Sequence, residues 1–357
     1  MDVYGKKVFV GLSGGVDSAV TAALLKEAGA RVTGVFIKGW YPPGMPCTWA
    51  SERRDAMRVA ARLRIPFATL DASEEYKKGV IDYLLAEYRA GRTPNPDVMC
   101  NREVKFGAFY RYAMAHGADF IATGHYAQVA LKGGGEKTVW PRHGFAVRGD
   151  PRTFSQATPE ATLTRGRDVA KDQSYFLWAV PREVLTKTLF PLGNLRKEEV
   201  RALASRFDLP VAEKPDSQGI CFLGAVSVKE FLRRELGDNP AILHTLGERV
   251  PGGFVVGKDV EKGTIEVGRS PKTPRMLRFR DANHLVEDWS GPITAQYRYH
   301  GPLVSGYVSD IECPTSDVGH SMSNIFEADE MLPEMPAPGQ SLVFYRGEEL
   351  IGGGIIE

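Results

Sequence analysis

Between residues 6 and 123 the chain alternates short β-branched runs with longer helical stretches, and this alternation restricts the fold more than any other feature. Residues 6–12 form an apolar run. Residues 18–28 then carry Ala19, Val20, Ala22, Ala23, Leu24 and Leu25 before a stop at Gly29, and 31–37 is a second β-branched run. Two further rounds follow: a helical pattern over 51–63 leads to a strand at 66–70, and a helix over 74–90 stops at Gly91. A last helix over 102–116 stops at Gly117 and feeds a strand at 120–123. Strands and helices in such order predict an α/β domain with a mostly parallel sheet, helices on both faces and ligands beyond the carboxyl ends of the strands.

Downstream the pattern changes. Residues 131–168 are rich in Gly, Pro, Arg and Thr and read as a long excursion, a hairpin with a loop. Residues 197–207 present Val200, Leu203, Ala204 and Phe207 on one helical face, and 228–236 is a shorter helix. Beyond about residue 243, short alternating runs separated by Gly, Pro and Asp predict small β domains. No apolar run reaches the roughly 18 residues of a membrane span, and Met1-Asp2 leads directly into a strand with no room for a signal peptide, so a cytoplasmic protein is expected. Four cysteines, at 47, 100, 221 and 313, are too few and too scattered for a disulfide scaffold. No Cys-x-x-Cys or His-rich cluster offers a metal site. With 45 Lys+Arg against 44 Asp+Glu, the net charge of +1 gives no global sign of a nucleic-acid partner.

The sharpest local signal is Val10-Gly11-Leu12-Ser13-Gly14-Gly15-Val16-Asp17-Ser18, set between a buried strand and a helix. A Gly-rich turn there aims backbone N–H groups at an anion, and the start of the helix adds about half a positive charge. It lacks the Gly-Lys-Ser/Thr of a P-loop and the spacing of a dinucleotide fingerprint. A plain strand-to-helix turn would not need Ser13, Asp17 and Ser18 together. Ser-Gly-Gly-Val-Asp-Ser resembles the signature of the PP-loop ATP pyrophosphatases, which activate an oxygen by adenylation and let a nucleophile displace AMP.

Two cysteines sit in polar loops. Gly91-Arg92-Thr93-Pro94-Asn95-Pro96-Asp97-Val98-Met99-Cys100-Asn101 delivers Cys100 just before the helix read from Arg102, where a helix N-terminus favours thiolate, with Asp97 available as acid or base. A lone Cys there would more often be a small apolar cap residue; the two prolines and the flanking Asn and Asp argue otherwise. Asp216-Ser217-Gln218-Gly219-Ile220-Cys221-Phe222 is the second loop. Two such cysteines suggest a transient pair, one carrying or attacking sulfur and the other resolving it.

Together these segments resemble the tRNA-specific 2-thiouridylase family nearly end to end. The likeness takes in Ser13 to Ser18, Phe36-Ile37-Lys38 with Trp40, Gly91 to Asn101, and Ala122-Thr123-Gly124-His125-Tyr126. It continues through Lys171-Asp172-Gln173-Ser174-Tyr175-Phe176-Leu177, Asp216 to Phe222, Pro338-Gly339-Gln340 and Gly352-Gly353-Gly354-Ile355-Ile356. The resemblance implies a parallel-sheet PP-loop domain (adenine nucleotide alpha hydrolase-like) over 1–225 carrying both cysteines, a small central β-rich domain over 226–287, and a C-terminal β-barrel domain over 288–357 that contacts tRNA. It implies that Gly11, Leu12, Ser13, Gly14, Gly15, Val16, Asp17 and Ser18 hold the phosphates of ATP with Mg2+, and that Ile37 and Gly124 line the adenosine pocket. Asp97 becomes the acid/base residue, Cys100 the resolving nucleophile and Cys221 the carrier of persulfide sulfur. Asn95, Pro96 and Asp97 would face the target base, and His125, Lys171, Asp172, Gln173, Arg298, Tyr299 and Gln340 the tRNA. The implied reaction replaces the C2 oxygen of the wobble uridine by sulfur, with a cysteine desulfurase or sulfur-relay protein as donor.

Reaching that base requires flipping it from the anticodon stack into a shaped pocket. Tyr126 or Phe222 could stack on it or simply pack. Two alternatives share parts of the pattern. Another PP-loop enzyme, acting on a different tRNA position or a small molecule, would lack the paired loop cysteines, and a non-catalytic tRNA-binding protein would bind RNA without consuming ATP. Local charge is uneven: Arg269, Lys272, Arg275, Arg278 and Arg280 run without an intervening acid, as a solvated loop or a phosphate-tracking surface.

Overall fold

The computed structural model describes residues 2–44, 48–132, 160–216, 227–271, 273–310 and 324–357. The chain forms two compact units, residues 1–77 with 100–225 and residues 78–99 with 226–357. No helix among the described residues is long and apolar enough to cross a membrane.

The first unit is built on strands β1 (Lys7–Gly11), β2 (Arg31–Lys38), β3 (Phe67–Asp71) and β4 (Phe120–Ala122). After a hairpin of β5 (Ala127–Lys132) and β6 (Glu160–Arg165) it adds the short β7 (Thr188–Leu189). The main sheet has the order β3-β2-β1-β4-β7 and every pair is parallel. Side chains alternate across it. Val8 and Val10 enter a core with Ala19, Val20 and Leu24 of α1 (Val16–Glu27), Val59 and Leu63 of α2 (Trp49–Leu63), and Val200 and Ala204 of the helix Lys197–Arg206. Phe9 points the other way, 6.3 Å from the ring of Tyr112 in the helix Phe109–Ala115. Helices therefore cover both faces, as the alternation requires. The chain runs outward from β1 through β2 to β3 and returns to β4, so the topological switch point falls between β1 and β4, and the carboxyl edge there is where such sheets form their ligand crevice.

One boundary differs from the sequence reading. The helix assigned from Arg102 starts at Pro96: Pro96–Met99 is followed without a break by a π-helical stretch, Cys100–Ala108, and then by Phe109–Ala115. The start is set by Asn95, whose Oδ1 accepts from the N–H groups of Asp97 (3.1 Å) and Val98 (3.4 Å), with proline at the first helical position. Cys100 thus lies a turn inside the helix and is fully buried. The stretch read as one helix over 74–90 is likewise three segments, Ser73–Tyr76, the π-helical Lys77–Asp82 and Tyr83–Arg89.

The second unit holds a three-stranded antiparallel sheet of β8 (Arg249–Val250), β9 (Gly253–Asp259) and β10 (Thr264–Gly268). It also holds a six-stranded antiparallel barrel of β11 (Met276–His284), β12 (Ile293–Gln296), β13 (Val304–Asp310), β14 (Asn324–Ala328), β15 (Ser341–Arg346) and β16 (Glu349–Ile356). The strands follow the order β11-β14-β13-β12-β15-β16, and β16 pairs back onto β11, which closes the barrel and leaves no edge. Phe279, Trp289, Phe326 and Phe344 fill it. The glycines of β16 are sterically required: a Cβ on Gly352 (φ +148°) would strike the Trp289 ring, and one on Gly354 the Phe279 ring. The basic stretch 269–280 partly lies in this barrel and is partly consumed by it. Arg275 donates to the carbonyl of Ala328 (2.8 Å) and pairs with Glu327, and Arg280 pairs with Glu87 and Asp281. Arg278 is exposed, and Lys272 lies outside the described residues.

Candidate active site

The turn after β1 is shaped by backbone and hydroxyl contacts. Leu12 N–H donates to the carbonyl of Val35 (2.8 Å), Ser13 N–H donates to Ser18 Oγ (3.2 Å), and the two serine hydroxyls lie 3.1 Å apart. Gly14 has φ +77° and packs so tightly on the Glu52 carbonyl that a side chain would not fit. Gly15 takes the N-cap position of α1 and no side chain caps that end. The first N–H groups of α1 therefore face the crevice without a side-chain acceptor, which suits a phosphate. The loop after β4 meets this turn closely: a Cβ on Gly124 would sit 2.9 Å from both the Asp17 carbonyl carbon and the Ser18 nitrogen. Ile37 is buried at the end of β2, and a Cβ on Gly11 would lie 3.8 Å from its Cδ1. The structure thus brings residues 11–18, Ile37 and Gly124 together.

Around this turn stands a ring of cations that the sequence reading had only partly identified. Lys197 Nζ donates to both oxygens of Asp17 (2.7 and 2.9 Å) and pairs with Asp216 at 2.8 Å. Asp216 also accepts from Lys171 (2.8 Å) and Arg201 (2.7 Å). Lys214 Nζ donates to the carbonyl of Gly14 (3.0 Å) and to Asp55 (2.8 Å). Burial pushes the Asp216 carboxyl up, but the bonds from Lys171 and Lys197 overcome this and hold it at about 2. The same carboxylate keeps Lys171 charged above the usual lysine range. Tyr126 O–H donates to Asp17 (2.9 Å); its burial, then the nearby Asp17 charge, raise its pKa, so it remains a phenol. Tyr126 is 2% exposed and packs in the core of the first unit.

Of the residues expected to face RNA, His125 and Asp172 are buried and Gln173 is half-buried, and each bonds within the protein. The His125 ring lies between Phe106 (5.7 Å) and Phe190 (5.9 Å), with Nδ1 2.7 Å from Thr123 Oγ1. Burial, then the nearby Lys105, depress its pKa well below the usual histidine value, so the ring is neutral near pH 7. Asp172 is buried and accepts from the N–H of Gly166 (2.8 Å) and from the N–H and O–H of Ser174 (3.1 and 2.9 Å). Gln173 exchanges two bonds with Tyr126: its Oε1 accepts from the Tyr126 N–H (3.1 Å) and its own N–H donates to the Tyr126 carbonyl (2.9 Å). Asn101, 2% exposed, donates to the Phe176 carbonyl (2.9 Å). The 171–177 run therefore ties the loop after β4 to the helix that carries Cys100.

In the second unit, Asn95, Pro96 and Asp97 open a helix whose preceding loop is anchored by the barrel. Gln340 Nε2 donates to the Thr93 carbonyl (2.6 Å), and Thr93 N–H donates to the Pro338 carbonyl (2.7 Å). Arg298 is exposed and pairs with Glu334 at 2.9 Å, and Tyr299 stacks on His300 at 3.9 Å. Cys221 lies outside the described residues, as do Cys47 and Cys313; of its loop only Asp216 is described.

A doubly wound parallel sheet with an uncapped, cation-ringed turn at its switch point, followed by a closed barrel, defines a PP-loop nucleotide-using protein with an appended β module. Residues 6–225 match the family model described as tRNA methyl transferase HUP domain, and 334–356 match the Aminomethyltransferase beta-barrel domain. The tRNA-specific 2-thiouridylase MnmA of Streptococcus thermophilus (strain CNRZ 1066) is 39% identical over 390 residues, 98% of this chain and 95% of the relative. That of Streptococcus pyogenes serotype M49 (strain NZ131) is 38% identical over 388 residues, with the same coverage. Among solved structures, a U34-tRNA thiolase NcsA from Methanococcus maripaludis has a TM-score of 0.36 at 16% identity, covering 67% of this chain and 71% of its own. The chain belongs to the tRNA-specific 2-thiouridylase (MnmA) family.

Proposed function

We propose that the chain is a tRNA-uridine 2-sulfurtransferase that uses ATP to replace the C2 oxygen of the wobble uridine by sulfur. The observation that carries this reading beyond the family likeness is the uncapped start of α1 in the β1/β4 crevice, with Lys171, Lys197, Arg201 and Lys214 around it. ATP, when bound with Mg2+ on its phosphates, would supply the adenyl group that turns an amide-like oxygen into a leaving group. Residues Gly11 to Ser18 bind its phosphates through N–H groups, and Ile37 and Gly124 border its adenosine. Lys197 neutralises Asp17, so that a carboxylate at the mouth of the turn does not repel the incoming anion.

Asp97 moves protons at the uridine, and Asn95 and Pro96 shape the approach of the base. Cys221 carries the persulfide, supplied by a cysteine desulfurase or a sulfur-relay protein. Its terminal sulfur bonds to C2 as the C2–oxygen bond to AMP breaks. The Cys100 thiolate then attacks Cys221 Sγ, the S–S bond breaks with its electron pair on the uridine sulfur, and a Cys100–Cys221 disulfide remains for later reduction. Release of free sulfide from the persulfide is the other route to the same product. Cys100 is buried, so its thiol must become accessible before either step. Lys171, Arg298 and Tyr299 meet RNA, while the buried His125 and Asp172 and the half-buried Gln173 and Gln340 hold the loops in place through their hydrogen bonds.

Pyrophosphate release measured with and without tRNA tests the reading: release should depend on tRNA and accompany 2-thiouridine formation. Release of pyrophosphate with a small-molecule acceptor and none with tRNA would contradict it.

A further inference from the structure

The loop that carries Asn95 and Asp97 is held at three points by other parts of its own unit. At its base, Glu87, with a side chain 7% exposed, accepts two bonds from Arg92 (both 2.7 Å) and two from Arg280 of β11 (3.1 and 3.0 Å). A carboxylate this buried is tolerable only when fully paired, and the Arg92 fork together with the single Nη2 of Arg280, shared between both Glu87 oxygens, supplies that pairing. One residue further back, Lys258 of β9 donates to the Gly91 carbonyl (3.0 Å). At the far side, Gln340 and Pro338 clasp Thr93 through its carbonyl and its N–H. Gly339 makes that clasp possible: it has φ +91°, and a Cβ there would lie 3.0 Å from the Thr93 nitrogen and carbonyl carbon. The clasp is itself fixed to the closing strand of the barrel, since Gly339 N–H donates to the Ile356 carbonyl (2.8 Å) and Ile356 N–H to the Gln340 carbonyl (2.9 Å).

We infer that the barrel takes part in catalysis by positioning the 91–97 loop, with Arg280 and Gln340 as positioning residues whose side chains are committed to the protein. The inference rests on the functional reading above, in which Asp97 meets the uridine. It assigns a role to Arg280 that its place in a basic stretch conceals: the guanidinium is spent on Glu87 and Asp281. A loop fixed only by its own sequence would sample many placements, and an error of about 1 Å in a reacting group lowers a rate by up to about 100-fold.

The test uses the full chain with tRNA and ATP, comparing Arg280→Met, Arg280→Lys and Gln340→Ala with the wild type. Single-turnover thiolation should fall at least about tenfold in Arg280→Met and Gln340→Ala, and tRNA Kd should move by less than about twofold, as for a group that does not touch RNA. Arg280→Lys, keeping the charge on Glu87 but not the second nitrogen that holds Asp281, should recover part of the rate. Amide exchange over 91–97 should accelerate in both damaging variants while 7–38 stays protected, a readout independent of activity. Gln340→Ala removes one neutral donor and keeps the test open if Arg280→Met fails to fold. A tenfold weaker Kd with an unchanged rate would overturn the proposal and make these residues RNA contacts. So would unchanged exchange over 91–97. A wild-type chain that forms no 2-thiouridine would contradict the functional reading instead, and the exchange measurement would still decide the hold.

Discussion

Asp216 gathers Lys171, Lys197 and Arg201 within 2.8 Å, and its protonation state governs the phosphate side of the site. Burial disfavours its charge, yet the lysine bonds hold its pKa at about 2, below the ordinary aspartate value of 3.8. The folded state therefore binds the proton less readily than the unfolded chain. The stabilisation is complete above about pH 3.8 and is lost as pH falls through about 2. Asp216→Asn should flatten the acid-unfolding profile in that window and cost about 1 kcal/mol at pH 7, solvent screening having reduced the loss. An unaltered acid profile would show that the pairing contributes nothing to stability. Lys197→Met should raise the KM for ATP about tenfold, the order of one charge-assisted bond, and leave tRNA affinity unchanged. Steady-state kinetics at varied ATP reads this directly. Little in the sequence marks Lys197. It opens a regular amphipathic helix, and its link to Asp17 spans 180 residues that only the return of the chain to the β1/β4 crevice brings together.

At the scale of elements, the strand–turn–helix at 7–27 is legible because Gly14, Gly15 and the flanking apolar runs state both the turn and its direction. The start of the Cys100 helix is less so. Its two prolines suggest a loop, whereas Asn95 followed by Pro96 is also a cap and a first helical residue, and the two meanings differ only in which N–H groups need a partner. Asn95→Ala should cost about 0.5–2 kcal/mol, seen as a lower Tm; an unchanged Tm would remove the cap from the account. β7, two residues long, is too short to show alternation at all. Gly124→Ala places a methyl against the Asp17–Ser18 backbone and should abolish ATP-dependent turnover while the barrel keeps its fold. Turnover near the wild-type rate would mean that the loops after β1 and β4 do not need this contact.

Across the whole molecule, a net charge of +1 obscures how cations are used. Some serve the phosphate turn, and others, such as Arg275 and Arg280, hold the second unit together. Arg278→Glu should therefore weaken tRNA binding and reduce its salt slope by about 1, whereas Arg275→Glu should chiefly lower Tm. Equal salt-dependent losses in both would restore the stretch as a phosphate-tracking surface. The six-stranded closure was not readable from short alternating runs, since alternation states which face is buried but not which strand meets which; β11 joins both β14 and β16 from a segment that the sequence reading placed in a central domain. The measurement that bears most directly on the central claim is nucleoside mass spectrometry of tRNA incubated with ATP and a persulfide donor. Wild-type chain should yield 2-thiouridine at the wobble position, and Cys100→Ser and Cys221→Ser should each yield none. Wild-type levels of 2-thiouridine from either variant, or thiolation that proceeds without ATP, would contradict the account.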